Sequence, residues 1–169
     1  MNSGFIQFRV AMYFDPRRYI IVPNVSWGLG IHECDLLMVN KDGYGTEVEV
    51  KISRSDIIAD QKKPHHQRHA CDRIKRLYFA IPTKLRHCAD LIPAHAGIIT
   101  VADDGSCVVE RRPKNYHAAR SWTVGERNEL LRNASIKYWR LAGRDKPWQD
   151  EPQPDPEELE EAQLTTKTT

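Results

Sequence analysis

The sequence predicts an α/β domain in which helices flank a mixed central sheet. Three observations support that prediction. Short apolar runs bounded by turn residues recur along the chain, a short amphipathic stretch separates the third run from the fourth, and a longer stretch with helical spacing follows the last run. At 169 residues, the chain is long enough for one domain with a hydrophobic core and short for two.

Three predicted strands occupy the first third of the chain. An aromatic and apolar segment precedes them, and its pattern is compatible with a short helix or with an irregular lead-in that ends at Asp15–Pro16. A KDGYG turn joins the second strand to the third as a hairpin. The strands are expected at residues 19–25, 34–40 and 46–52.

The third strand has the cleanest alternation in the chain, so its apolar and charged side chains are expected on opposite faces. The apolar face, predicted to be buried, consists of Val48, Val50 and Ile52. The charged face consists of Glu47, Glu49 and Lys51. A solvated strand face with a cross-strand ion pair would explain these charges equally well, and we interpret Glu47 in that way.

The rest of the domain is predicted to be a helix, a strand, a hairpin and a second helix. Ser53 is the expected N-cap of the first helix, because its hydroxyl can accept a hydrogen bond from a backbone N–H of the first turn. A buried strand follows at LYFAIP, and AGIITV, DDG and CVVERR form a closing hairpin. The last helix is expected from about Val124 to Ala142, ended by Gly143. The predicted division is a domain at 1–143 and a disordered Pro- and Glu-rich tail at 144–169.

Composition excludes several classes of protein. The longest apolar runs are strand-sized, far below the ~20 residues that cross a bilayer, and the chain starts without a signal-peptide pattern. Its four cysteines form no C-x-x-C pair and are interpreted as free thiols of a cytoplasmic protein. The net charge of +2 combines a basic body with an acidic tail. A basic body fits a polyanionic partner such as DNA, although a generally solvated surface would explain it equally well.

Glu49 and Lys51 form a pattern suited to phosphodiester hydrolysis. On one face of a strand, the carboxylate can hold a divalent cation, while the ammonium can orient or deprotonate a water molecule and steady developing negative charge. One carboxylate does not fix Mg²⁺, which prefers several oxygen ligands. Asp35, at the start of the preceding strand across the hairpin, is the expected second carboxylate.

The succession of DLLMV, a hairpin and EVK resembles the core of the PD-(D/E)XK nucleases. The runs EVKISRSDIIADQKKPH, RIKRLYFAIP and LIPAHAGIITV are similar to the MmcB-like group of DNA-repair proteins, over roughly residues 30–142 and in the same order. The resemblance implies a restriction-endonuclease-like fold and hydrolysis of DNA in repair or phage DNA processing. The alternative is a non-catalytic DNA-binding or repair-accessory protein that keeps the fold.

Carried over by position, the resemblance makes Asp35, Glu49 and Lys51 the catalytic set. Asp35 and Glu49 would bind Mg²⁺ or Mn²⁺. Many members of the superfamily add a glutamate from an N-terminal helix, but residues 1–14 contain no carboxylate. Glu33 lies two residues before Asp35, so strand geometry would place it on the same face as a third ligand. Cutting both strands of a duplex would call for a second copy, so a homodimer is an open expectation.

A basic, histidine-rich stretch follows the predicted site. We predict that it contacts DNA phosphates, through Lys62, Lys63, His65, Arg68, His69, Arg73, Lys75 and Arg76. An exposed loop kept soluble by charge is the simpler alternative. A zinc site at His65, His66, His69 and Cys71 is a further alternative, disfavoured because Pro64 disrupts the helix that would align the histidines and no second ligand pair follows.

Overall fold

The computed structural model describes residues 1–25, 29–61 and 71–145. In them, six strands form one mixed sheet in sequence order. The strands are β1 (Tyr19–Val25), β2 (Cys34–Asn40), β3 (Gly45–Val50), β4 (Ile74–Pro82), β5 (Gly97–Val101) and β6 (Cys107–Arg111). The first three strands run antiparallel to one another, β3, β4 and β5 are parallel, and β6 returns antiparallel to β5. The predicted α/β class with a mixed sheet is confirmed.

The N-terminal segment, which the sequence left as either helix or lead-in, is a helix: α1 (Ser3–Phe14). The side chain of Asn2 caps it, because its Oδ1 accepts a hydrogen bond of 2.8 Å from the Phe5 N–H. Ile6 and Val10, one turn apart, are fully buried against the sheet. The helix thus covers one face of the sheet.

The crossover between the parallel strands β3 and β4 contains α2 (Arg54–Asp60). The predicted N-cap is confirmed, since Ser53 Oγ accepts a hydrogen bond of 3.2 Å from the Asp56 N–H. A 3₁₀ helix (Thr83–Leu91) connects β4 to β5. Ile57 of α2 and Leu85 of the 3₁₀ helix pack into one apolar cluster on the sheet face opposite α1.

Alternation along the strands divides the core between the two faces. The α1 face buries the cluster Ile6, Val10, Leu36, Met38, Val48, Val50, Tyr78, Ala80, Ile99 and Val101. The opposite face carries two clusters, one around Phe79 under α2 and the 3₁₀ helix, and one around Leu37 and Trp122. Ile52, predicted to be buried, is 42% exposed, because β3 ends at Val50 and the alternation ends with it.

The chain divides into two compact units, Met1–Ala134 and residues from Ser135 onward. The last helix, α3 (Val124–Asp145), begins in the first unit and extends two residues beyond the predicted domain boundary at 143. In the first unit, α3 buries Leu130. In the second, its side chains Ile136, Tyr138, Trp139 and Leu141 are exposed. Apart from the end of α3, the predicted disordered tail lies outside the described residues. No helix in the described ranges is long and apolar enough to span a membrane.

Candidate active site

The hairpin of β2 and β3 brings Asp35 and Glu49 together. Leu36 faces Val48 across the antiparallel pair, so the next pair in this register is Asp35 and Glu49. Side chains directly across such a pair share a face, with Cβ atoms about 4.5–5.5 Å apart. Oδ2 of Asp35 also accepts a hydrogen bond of 2.8 Å from the backbone N–H of Val50, which fixes its carboxylate beside the end of β3. The two predicted acids therefore lie on one face, as a shared metal ion would require.

Lys51 is the centre of a buried ion-pair network. Its Nζ lies 2.7 Å from Glu49 Oε2 and 2.8 Å from Asp60 Oδ1, and all three side chains are almost fully buried. Burial alone would lower the pKa of Lys51, but the negative charge of Glu49 and hydrogen bonds with Asp60 and Glu49 together raise it above its usual value. Lys51 is therefore held as a cation.

Glu47, which we interpreted as a solvated surface residue, is in fact 1% exposed. Its Oε1 lies 2.7 Å from His32 Nε2, and His32 is itself only partly exposed. The interpretation failed because β3 is a central strand covered on both faces, where alternation does not separate buried from solvated residues. Glu47 shares the face of Glu49, so it belongs to the same cluster.

The sequence analysis missed two members of this cluster, His32 and Asp60. Asp60 lies three residues after Ile57 in α2, and both are buried on the same side of the helix. With the N-cap of this helix already predicted, that spacing could have been used to predict that Asp60 is buried beside Ile57. His32 precedes β2 in an irregular segment, where no periodicity indicates which side chain turns inward.

The cluster is rich in carboxylates. Among the described residues it contains four carboxylates (Asp35, Glu47, Glu49, Asp60) and one ammonium, with His32 able to add one positive charge. A buried carboxylate is costly unless it is paired or binds a cation, so a cluster of this kind is a suitable place for a divalent ion to bind. In the described ranges, no three His, Cys, Asp or Glu side chains converge as a complete metal cage. Mg²⁺ commonly uses one or two carboxylates and several waters, so Asp35 and Glu49 fit it as a donor set.

Glu33, the predicted third ligand, is exposed and precedes the first residue of β2. Because β2 begins one residue later, at Cys34, Glu33 lies outside the strand geometry from which we expected it to share the face of Asp35. Its role as a ligand stays a prediction. Glu47 is the additional acid that the fold brings to this face.

Comparison with known proteins identifies the family. The family model described as "DNA repair protein MmcB-like" matches residues 4–137, most of the chain. The chain belongs to the MmcB-like DNA repair family. One solved structure, a protein of unknown function (SPO1766) from Silicibacter pomeroyi, matches with a TM-score of 0.60 and 21% identity, covering 87% of this chain and 94% of that one. At that identity the match supports the fold alone. No curated protein matches.

The basic stretch of this MmcB-like protein is only partly described. Five of the predicted DNA contacts lie outside the described residues: Lys62, Lys63, His65, Arg68 and His69. The histidines of the zinc alternative lie there too. Cys71, its remaining member, is partly buried, and this burial raises the pKa of its thiol.

Arg73, a predicted DNA contact, is engaged inside the MmcB-like domain. Its guanidinium donates a hydrogen bond to the Leu29 carbonyl, lies 3.3 Å from Glu126 Oε1 and sits over the Trp122 ring. The Trp122 indole N–H in turn donates to the Arg73 carbonyl at 3.0 Å. These contacts give Arg73 a structural role, and a DNA contact there stays a prediction.

Lys75 and Arg76 do not lie with Arg73 in one continuous patch. The Nζ of Lys75 sits 3.4 Å above the Tyr44 ring. Neighbouring side chains along β4 point to opposite faces of the sheet. Leu77 packs on the face of the acidic cluster, so Arg76 lies on the α1 face with Tyr78. The three described members of the predicted basic surface therefore do not form a single group: Arg73 is engaged within the domain and Arg76 lies on the α1 face.

Proposed function

We propose that this MmcB-like protein is a metal-dependent nuclease of the PD-(D/E)XK type that hydrolyses DNA phosphodiesters in repair. One observation carries the proposal: Asp35 and Glu49 face each other on adjacent strands, with the buried Lys51 ammonium 2.7 Å from Glu49. Carboxylate oxygens are ligands that Mg²⁺ uses in proteins, so this pair of acids supports a divalent cation.

In this proposal Asp35 and Glu49 hold Mg²⁺ or Mn²⁺. The bound ion would polarise a phosphoryl oxygen and lower the pKa of a water molecule. Glu33, directly before β2, keeps its predicted role as a further ligand in this proposal.

Lys51 acts as a fixed positive charge in this scheme. Its raised pKa argues against removal of a proton from water, because a group that is already protonated at neutral pH cannot accept one. An ammonium held between Glu49 and Asp60 is positioned before the reaction, so it can stabilise charge that develops on a phosphate without reorganising. Asp60 is thus a positioning residue for Lys51.

Cleavage of plasmid and single-stranded DNA with and without Mg²⁺ tests the proposal. Glu49→Gln and Lys51→Met remove the charges at nearly constant volume, and we expect each to lower the Mg²⁺-dependent rate by about 10²-fold or more. Glu129→Gln and Lys84→Met make the same chemical changes at exposed positions and should leave the rate unchanged. Equal losses in the exposed variants would contradict the assignment.

The same assay separates the nuclease from the non-catalytic alternative. The contacts of Asp35 with the Val50 N–H and of Glu49 with Lys51 would also suit a fold that has kept its acids for structure. Tight DNA binding without cleavage by the wild type, in Mg²⁺ or Mn²⁺, would favour a DNA-binding accessory protein. Cleavage that depends on enzyme concentration more steeply than the first power would support the expected homodimer.

A further inference from the structure

A cavity lies on the α1 face of the sheet, away from the acidic cluster. Its volume is about 360 Å³, within the range of small-molecule sites. Three aromatic and three polar side chains form much of its lining: Phe14, Tyr19, Tyr78, Arg76, Arg112 and Asn115. The aromatic residues belong to the edge of the core, but neither the core nor the proposed chemistry accounts for the arginines beside them.

The two guanidinium groups give the cavity its charge. Arg76 donates a hydrogen bond of 2.8 Å from its Nε to Asn115 Oδ1, which fixes the plane of the guanidinium. Arg112 is exposed at the end of β6. In the described part of the chain, no carboxylate pairs with either one, whereas Arg73, Arg86 and Arg120 all have carboxylate partners. Two such guanidiniums beside one cavity fit a phosphate group, which they can bind in a bidentate manner.

The aromatic rings supply a surface for a planar group. Phe14 packs edge-on against Tyr19 and Tyr78, with ring centroids 5.9 Å and 5.8 Å apart. The Tyr78 ring is buried, and this burial raises the pKa of its hydroxyl. A nucleobase can stack on an aromatic side chain whatever its identity, because every base has a π-face.

We propose that this cavity binds a nucleotide, with its phosphate on Arg76 and Arg112 and its base against the aromatic rings. The ligand is either a free mononucleotide or the 5′-phosphorylated end of a DNA strand, since both present the same phosphate and base. The site is distinct from the acidic cluster, because the two lie on opposite faces of the sheet. Arg76 and Tyr78 are on the α1 face, whereas Leu77 and Phe79, which alternate with them along β4, are on the face of the acidic cluster.

Calorimetric titration with dAMP, in EDTA so that no cleavage occurs, tests this assignment. We expect Arg76→Gln with Arg112→Gln to weaken dAMP binding by about tenfold or more. Arg132→Gln removes the same charge from an exposed position in the same unit and should change the affinity by less than about twofold. Arg112→Gln alone is the variant least able to disturb folding, and it should weaken binding measurably. Adenosine, which has no phosphate, should bind more weakly than dAMP.

Several results would overturn the proposal. One is the absence of dAMP binding at millimolar concentration. Another is an Arg132→Gln variant whose affinity for dAMP falls as much as that of the double arginine variant. A third is dAMP binding that is lost in Glu49→Gln but kept in the double arginine variant. Competition identifies the source of the ligand. A short single strand with a 5′-phosphate that displaces dAMP, where the 5′-hydroxyl strand does not, indicates a strand end, and failure of both strands indicates a free nucleotide. Because dAMP binding in EDTA does not require catalysis, failure of the nuclease proposal would leave this test unaffected.

Discussion

The two faces of the sheet handle charge in opposite ways. On one face, Glu47, Glu49, Lys51 and Asp60 are buried and paired with one another or with His32. On the α1 face, Arg76 and Arg112 border an open cavity with no carboxylate partner in the described residues. Thr46 and Glu47 are adjacent in β3, yet one lines the cavity and the other joins the acidic cluster. An unpaired buried charge is strongly destabilising, so buried charges are paired within the protein. An accessible charge is solvated by water and stays available to bind a ligand.

The largest expected effect is on the buried face. Lys51→Met leaves Glu49 and Asp60 buried without their shared cation, so we expect the free energy of unfolding to fall by about 3–5 kcal/mol. Urea denaturation at neutral pH measures it. Arg112→Gln on the other face should change stability by no more than about 0.5 kcal/mol, since its charge is exposed.

A companion variant tests whether unpaired charge is the cause of that loss. Combining Lys51→Met with Glu49→Gln and Asp60→Asn removes the charges together and should recover much of the stability. If Lys51→Met alone costs less than about 1 kcal/mol, the cluster is hydrated and the contrast between the faces is wrong.

The acidic face was the more predictable of the two from sequence. A DLLMV strand, a hairpin turn and an EVK strand fix the register, and register alone places Asp35 opposite Glu49. The strands of the sheet and the helix N-cap at Ser53 were also predicted from short stretches of sequence. Glu47, His32 and Asp60 did not, because their burial depends on what covers the sheet. Burial of a central strand is a tertiary property, and alternation does not report it.

A glycine on the α1 face offers the next test. Gly97 in β5 lies directly beside Tyr78 in β4, and a Cβ at Gly97 would meet the Tyr78 ring and approach the Arg111 carbonyl to 3.0 Å. Gly97→Ala should therefore lower stability by about 1–3 kcal/mol through overpacking. By displacing Tyr78 it should also weaken dAMP binding. Thermal unfolding and the calorimetric titration measure the two effects.

Gly125→Ala is the matched control, because a Cβ there meets nothing closer than Thr123 Oγ1 at 3.9 Å. Near the start of α3, alanine should leave stability unchanged or raise it by up to about 1 kcal/mol. If Gly97→Ala is as well tolerated as Gly125→Ala, Tyr78 is free to move and does not form a fixed wall of the cavity.

The cavity itself could not be predicted from sequence. Its lining comes from α1, β1, β3, β4 and the segment after β6, and no spacing along the chain brings these together. The basic stretch that includes Arg76 was visible, and it was predicted as one DNA-binding surface. In the described part of that stretch, the fold separates two of the arginines. Arg73 contacts Trp122 and Glu126, whereas Arg76 lies on the α1 face. Composition indicated cations, and only the fold shows which of them are already neutralised.

Glu126 pairs with two arginines, Arg73 and Arg120, and its replacement has the smallest expected effect. It accepts hydrogen bonds from Arg120 and forms a reciprocal capping box with Thr123 at the start of α3. Hydrogen bonding from Arg120 outweighs desolvation and lowers the pKa of Glu126 to about 2. Because the folded-state pKa is lowered, its stabilisation is fully present above about pH 4.5, the ordinary value, and is lost as the pH falls through about 2.

Glu126→Gln should therefore lower the free energy of unfolding by about 0.5–1 kcal/mol at neutral pH. The difference in unfolding free energy between the variant and the wild type, measured by urea titration, should become smaller as the pH falls from 4.5 to 2. The variant also removes one of the two carboxylate partners of Arg73 and Arg120, which keep their contacts with Asp72. If dAMP binds any accessible arginine, its affinity should rise in Glu126→Gln. An unchanged affinity would indicate that cavity geometry, and not net positive charge, selects the nucleotide, because Arg76 and Arg112 are untouched by this substitution.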